Sequence, residues 1–290
     1  MNRPEKHIEA IAPETPHDAA TIIIQPTRGF VGFDLLAVWQ YRELVYFLVW
    51  KELKTRYQQA VLGVAWAILQ PFLTMLIFTI IFSYVARIPS GNAAYPVFVY
   101  SALVPWTYFA QALSRGGLGL VGNANLISKV YFPRVIIPLV AATTPIVDLA
   151  FALVFLFGML VWYQVMPPPA VLLLPIFMFM AFCAAFAVGL WLSALNVRYR
   201  DIGHLIPFLV QFGLLASPVA YPLSLVPTQW QALYALNPMV AVIEGFRWCL
   251  LDGPSPSLAV LACGMLTISL ILMSGLWYFK ATERTFADLI

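Results

Sequence analysis

The sequence predicts an all-α membrane protein with six transmembrane helices, an N-terminal amphipathic helix at the interface, and a re-entrant segment on the outer side between helices 5 and 6. Apolar residues make up 62% of the 290-residue chain and charged residues only 10%, against about 25% charged residues in soluble domains. One water-soluble core cannot bury so much apolar surface, so lipid must solvate part of it. Long intervals without charge supply the spans.

The first 34 residues are predicted to form a disordered cytoplasmic tail ahead of a transmembrane domain over 35–290. Residues 1–18 are polar, contain three prolines, and lack the apolar core of a secretory signal. Residues 35–57 mix charged residues with aromatic and aliphatic ones, which makes them too charged to span and too apolar to stay in water. An amphipathic helix lying in the interface fits this pattern, and a cytoplasmic linker helix is the alternative.

Six spans follow from the gaps between charges, because a helix that crosses the hydrocarbon needs about 20 apolar residues. No Asp, Glu, Lys or Arg occurs over 57–86, 88–114, 202–243 or 253–279, and Asp148 is the one charge over 135–197. The prolines at 167–169 divide that last interval. The predicted spans are 62–86, 94–114, 136–163, 170–196, 205–222 and 257–279.

The proline-rich stretch after the fifth span predicts a re-entrant or interfacial segment over 223–250. Five prolines interrupt residues 202–243, and irregular backbone at membrane depth is tolerated only where protein or a water-filled cavity surrounds it. The positive-inside rule places both termini in the cytoplasm. That orientation leaves only Arg87 and Arg247 outside, and the cytoplasmic parts then hold Lys51, Lys54, Arg56, Arg115, Lys129, Arg134, Arg198, Arg200, Lys280 and Arg284.

Three stretches carry a family resemblance. Residues 51–71 read KELKTRYQQAVLGVAWAILQP, residues 123–139 read NANLISKVYFPRVIIPL, and residues 195–208 read LNVRYRDIGHLIPF. In this order they resemble the polysaccharide-export permeases of the ABC-2 class, which carry O-antigen, capsule or teichoic-acid chains. Residues 237–247, NPMVAVIEGFR, resemble the broader ABC-2 signature of Pro followed nine positions later by Arg, but depart from it at Ala241, where a polar or basic residue is more usual.

The resemblance implies a homodimer of six-span subunits in the bacterial inner membrane, with both termini in the cytoplasm. Each subunit would dock one copy of a nucleotide-binding ATPase, so that the complex holds two copies. The implied cargo is a lipid-linked polysaccharide, a long glycan on undecaprenyl pyrophosphate or a similar lipid.

The chain lacks a phosphate-binding loop of the GxxxxGK[ST] kind, and no Gly-Lys pair occurs in it. We therefore expect a transport subunit that is not an enzyme and holds no cofactor, with ATP and Mg bound by the partner ATPase. Basic residues around apolar anchors in the loop 115–138 suit a groove on such a partner, and an ordinary positive-inside loop is the alternative. The predicted docking residues are Asn125, Lys129, Tyr131, Phe132 and Arg134.

Cations just ahead of the first span predict a substrate entrance. Lys51, Lys54 and Arg56 lie within six residues and would attract a pyrophosphate head group, each by about 1 kcal/mol at an anionic surface. Anchoring to anionic phospholipid would use the same residues. The resemblance adds Tyr57 and the Leu62-Gly63 pair, which belongs to the substrate entrance in the family.

Two further features lie inside predicted spans. Asp148 is an intramembrane acid, which must face protein or water; it could serve in a proton relay, accept hydrogen bonds from the glycan, or form a structural hydrogen bond to Thr143 or Thr144. Met75, Phe78 and Phe82 share a helix face and could line a channel, although such a stripe is more often helix packing.

Other function classes are less well supported. The three cysteines have no CxxC spacing and the three histidines are scattered, which argues against a metal site. The net charge of +3 does not suggest nucleic acid. A drug or small-lipid exporter of the ABC-2 class is the nearest alternative. An ion-driven transporter would show several intramembrane ionisable residues, and the predicted spans contain one, Asp148. A membrane enzyme would need a cluster of acids, histidines or basic residues at a membrane face, and the sequence offers only the pair Glu244 and Arg247 there.

Overall fold

The computed structural model describes residues 35–58, 63, 65–89, 93–283 and 286. Within these residues the structure is helical with no strand, which confirms the all-α class. The predicted tail over 1–34 and Leu62 lie outside the described residues. The α-helices are α1 (Leu35–Gln40), α2 (Arg42–Gln58), α3 (Ala65–Phe78), α4 (Tyr95–Gly122), α5 (Ala124–Lys129), α6 (Ile136–Thr143), α7 (Ile146–Trp162), α8 (Leu174–Arg198), α9 (Ile202–Leu215), α10 (Thr228–Tyr234), α11 (Pro238–Leu251) and α12 (Leu258–Glu283).

Four helical stretches are long and apolar enough to cross a membrane: Ala65–Val85, Ile136–Trp162, Pro169–Arg198 and Leu258–Glu283. They coincide with the predicted spans 62–86, 136–163, 170–196 and 257–279. The first combines α3 with a π-helix over Thr79–Val85. The second combines α6 and α7, which are joined by a turn at Thr144–Pro145.

The helix predicted as the second span, α4, lies at the centre of the bundle and packs against α3, α6, α7, α8, α9 and α11. The helix continues to Gly122, beyond the predicted span of 94–114, whose boundary in the membrane stays a prediction. Arg115 lies inside the helix and faces Glu52 of α2. Close packing on α8 depends on glycine, since a Cβ on Gly116 would lie 3.3 Å from the Gly189 Cα.

The predicted fifth span is shorter than expected. Helix α9 ends at Leu215 and residues 216–221 form turns. Fourteen residues rise about 21 Å as an α-helix, which is less than the hydrocarbon thickness of about 30 Å. Pro218 and Pro222 follow and do not favour continuation of the helix. The six-span topology therefore stays a prediction.

The predicted re-entrant segment contains two helices, α10 and α11. Helix α11 packs against α4, α8 and α12, and its residues Met239–Ile243 are fully buried. Ala241 lies against Gly264 of α12, where a Cβ would come within 2.5 Å of the Ala241 Cβ. This contact leaves no room for the larger residue that is more usual at position 241. A broken, protein-enclosed segment is what a re-entrant region requires, and its place in the membrane stays a prediction.

Candidate functional site at the interfacial helix

Helix α2 exposes an aromatic surface. Tyr46, Phe47 and Trp50 are each more than half exposed, and Leu48 is its one buried residue among those described. Apolar side chains thus occur on both faces of α2, toward the bundle and away from it. A helix with so much exposed aromatic surface needs lipid or another protein to cover it, as expected for an interfacial helix.

The inner face of α2 is tied to the bundle by Arg56 and Tyr57. The Arg56 guanidinium forms an ion pair with one carboxylate oxygen of Asp148, and the Tyr57 hydroxyl donates to the other. Arg56 Nη1 also lies 3.3 Å from Gln111 Oε1. Asp148 is only 4% exposed, and so deep a carboxylate is costly unless it is paired.

A second contact lies one helical turn earlier, at Glu52. Its carboxylate accepts a hydrogen bond from the Thr144 hydroxyl at 3.0 Å and pairs with Arg115 Nη1 at 3.5 Å. The four charged residues and their polar neighbours form what we call the α2 clamp, which consists of Glu52, Arg56, Tyr57, Gln111, Arg115, Thr144 and Asp148.

The hydrogen-bond partners of Asp148 in the clamp differ from those proposed from the sequence, which were Thr143 and Thr144. Its partners are Arg56 and Tyr57, and neither threonine donates to it: the Thr143 hydroxyl donates to the Leu139 carbonyl, and the Thr144 hydroxyl shares its proton between the Val140 carbonyl and Glu52. Burial, and secondarily the hydrogen bond to Asp148, raise the pKa of Tyr57 to about 12. The hydroxyl therefore stays protonated and able to donate at physiological pH.

Some clamp residues could have been predicted and others could not. Glu52 and Arg56 have the i,i+4 spacing that puts two side chains on one helix face, and Arg115 and Asp148 are isolated charges in apolar sequence. Opposite signs on the two sides are the signal for their pairing. Nothing in the sequence singles out Gln111.

The outer face of α2 carries the remaining cations of the predicted entrance. Lys51 and Lys54 are exposed and line an open groove of about 340 Å³ together with Phe47, Trp50, Thr55 and Gln58. The predicted entrance residues are therefore divided, because Arg56 and Tyr57 face the bundle. Gly63 adopts φ 40°, in the left-handed region that favours glycine.

The residues of the predicted docking loop are also divided between exposed and buried positions. Asn125, Lys129 and Tyr131 are exposed, Tyr131 by 79%, whereas Phe132 is only 5% exposed. Arg134 is half-buried and holds the end of α12. Its backbone N–H donates to Glu283 Oε1 at 3.2 Å, and its guanidinium donates to the Glu283 carbonyl and lies over the Phe286 ring.

The predicted channel residues lie on α3 and the π-helix that follows it. Met75 is buried within the core of the subunit, and the partly buried rings of Phe78 and Phe82 meet edge to face at 5.4 Å. The backbone becomes π-helical after Phe78, so the regular α-helical spacing does not hold there. Their role in lining a channel stays a prediction.

At the far end of the bundle, Arg247 of α11 is 5% exposed and holds two backbone carbonyls. It donates to Val219 at 2.8 Å and Tyr221 at 3.3 Å, pairs with Glu244 at 3.1 Å, and lies 3.6 Å over the Phe98 ring. Across the described residues, no group of three or more His, Cys, Asp or Glu side chains could hold a metal ion.

The positions that form these contacts fall within a known family. Residues 43–251 match the family described as ABC-2 type transporter. The chain belongs to this family. The match includes the α2 clamp, the docking loop and Arg247, and it confirms the family that the sequence stretches indicate.

Two of the curated relatives that the chain resembles match it over nearly nine-tenths of its length, and a third over a smaller part. An O-antigen export system permease protein from Myxococcus xanthus is 28% identical over 87% of this chain and 97% of its own length. One with the same name from Klebsiella pneumoniae is 26% identical over 89% of this chain and 95% of its own. A polysialic acid transport protein from Escherichia coli is 25% identical over 70% of this chain and 79% of its own.

Proposed function

We propose that this ABC-2 chain is the membrane-spanning permease subunit of an exporter of lipid-linked polysaccharide in the bacterial inner membrane. The observation that carries the proposal is the end-to-end similarity to two O-antigen export permeases. The exposed aromatic and cationic face of α2 supports it, because an amphipathic, anionic cargo would meet such a surface at the membrane. An ATPase subunit encoded separately would supply the energy.

The proposed assembly is a homodimer with two copies of the ATPase, and each subunit crosses the membrane six times with both termini in the cytoplasm. Large apolar side chains on α9, including Phe208, Phe212 and Leu215, are more than half exposed. Lipid or a second copy of the chain would cover them. Proton-coupled transport is less well supported, since both carboxylate oxygens of Asp148 already have partners.

Co-purification tests the proposed function. A tagged copy extracted from its native membrane should bring down an ATPase subunit and a glycan attached to a polyprenyl phosphate or pyrophosphate, both identifiable by mass spectrometry. The purified chain alone should hydrolyse no ATP, and the complex should. Deletion of the chain should remove one glycan from the cell surface. An unchanged surface glycan, with a drug or a small lipid as the only exported compound, would favour the alternative exporter.

The outer groove of α2 is the proposed entrance for the cargo, with Lys51 and Lys54 attracting its phosphates. Replacing both lysines with glutamine should lower export several-fold at matched membrane levels, because about 1 kcal/mol of attraction is lost with each charge. Arg42→Gln is the matched control, an exposed cation of α2 outside the groove. Equal losses in the control and the double variant would support general anchoring to phospholipid instead.

A further inference from the structure

The α2 clamp contains two ion pairs of opposite polarity. Helix α2 supplies an acid at Glu52 and a base at Arg56, while the bundle supplies a base at Arg115 and an acid at Asp148. A shift of α2 by one turn would bring like charges together at one of the two contacts, which is unfavourable. The alternating signs therefore specify one register of α2 on the bundle.

Burial makes Asp148 the fixed point of the clamp. Its side chain is the least exposed of the four charged groups, and the other three keep about a third of their surface in contact with solvent. Asp148 also lies in the first turn of α7, directly after the turn that joins α7 to α6. The acid therefore belongs to the packed bundle, and Arg56 and Tyr57 attach α2 to the bundle through it.

Resting on the proposed function, we infer that Arg56 and Tyr57 are positioning residues that act through Asp148 and do not bind the phosphates of the cargo. They fix α2 so that the groove of Phe47, Trp50 and Lys54 faces away from the bundle. Lys54 and Arg56 are two residues apart and yet lie on opposite faces of α2, Lys54 exposed and Arg56 partly buried. Lys54 can therefore attract the cargo while Arg56 positions the helix. Arg56 Nη1 is already engaged by Asp148 and Gln111, so a cargo phosphate at this nitrogen would compete with Asp148.

Exchange of the two charges distinguishes positioning from direct contact. Arg56→Asp and Asp148→Arg should each lose most of the export, since each places two like charges together. The double variant restores an ion pair of reversed polarity, and we expect it to recover a substantial part of the export at matched membrane levels. Direct phosphate binding predicts no recovery, because an aspartate at position 56 would repel the cargo.

A second readout does not depend on export. In a background without Cys183, Cys249 and Cys263, a cysteine replacing the buried Leu48 reports whether α2 is seated on the bundle. The cysteine should be protected from a maleimide in membranes of the parent protein and in the charge-exchange double variant. It should react several-fold faster in either single variant, whereas Lys54→Asp, on the outer face, should leave its reactivity unchanged.

A milder substitution tests the inference without reversing a charge. Tyr57→Phe removes only the hydroxyl that donates to Asp148, so the cysteine at position 48 should react faster and export should fall together with it. Tyr46→Phe, which alters an exposed tyrosine on the same helix, should change neither. Unchanged labelling in Tyr57→Phe and in both single charge variants would overturn the clamp. Restored protection of the cysteine without restored export in the double variant would assign Arg56 to the cargo. The labelling result does not depend on the identity of the cargo. Failure of the clamp and failure of the proposed function can therefore be distinguished.

Discussion

Replacing Arg247 with leucine is expected to destabilise the protein by about 3–5 kcal/mol, because removal of one member of a buried ion pair leaves the other without compensation. The loss extends beyond Glu244. The carbonyls of Val219 and Tyr221 would lose their donor, and the Phe98 ring would lose the guanidinium packed on its face. We expect the turns at 216–222 to come loose from α11, with low yields of folded protein.

Thermal unfolding in detergent measures this effect. Arg247→Leu should lower the melting temperature strongly, and Glu244→Gln should lower it much less because the amide oxygen can still accept from Arg247. The matched control is Arg200→Leu, which removes an exposed arginine, and surface substitutions usually change stability by less than about 0.5 kcal/mol. Equal melting temperatures for Arg247→Leu and Arg200→Leu would contradict the structural role of Arg247.

Gaps between charges predict the apolar helices well because burying an unpaired charge in lipid is expensive. The same logic does not show where a helix ends or which charge it meets. Arg115 ends a charge-free interval, yet α4 continues to Gly122, and Glu52 of α2 pairs with Arg115 inside it. An ion pair between residues 63 positions apart leaves no local pattern from which the pairing could be predicted.

The partners of Asp148 show the same limit at the candidate site. An acid in an apolar span predicts that the carboxylate faces protein or water, and in the structure Asp148 faces Arg56 and Tyr57. The identity of the partner depends on how α2 is laid across the bundle, and residues 56 and 148 are brought together only by the tertiary fold. A cationic cluster in the sequence likewise does not reveal that Lys54 faces outward and Arg56 inward until the helix is placed.

The remaining differences between the sequence predictions and the structure come from the backbone conformation. Periodicity predicts that Phe78 and Phe82 lie on one helix face, and their rings do meet, but no local pattern predicts that the backbone is π-helical from Thr79. Tyr131 and Phe132 are adjacent aromatic residues with the same apparent chemistry, and the loop conformation alone decides that one is exposed and the other buried. Sequence composition therefore identifies the loop as a surface but does not identify which side chains a partner can reach.

Substitutions in the exposed part of the predicted docking loop, 115–138, are expected to have a large effect on binding of the proposed ATPase. Tyr131 is 79% exposed and Lys129, two positions earlier in the chain, is also exposed, so an aromatic anchor and a cation are available to a partner. Truncation of an aromatic anchor at the centre of an interface typically costs about 2 kcal/mol or more, which corresponds to an affinity loss of about thirtyfold. We expect Tyr131→Ala combined with Lys129→Glu to abolish co-purification of the ATPase and to stop export.

Comparison with the buried side of the loop separates docking from folding. Tyr131→Ala with Lys129→Glu should leave the melting temperature of the isolated subunit unchanged, because both side chains are exposed. Arg134→Glu should lower it, since this arginine holds the Glu283 carbonyl at the end of α12 and contacts the Phe286 ring. Any loss of ATPase binding in Arg134→Glu should therefore accompany this loss of stability, because the substitution displaces the loop. If the ATPase bound the Tyr131 and Lys129 double variant as tightly as the parent, docking would have to occur elsewhere, and the loop would serve only to hold the orientation of the chain.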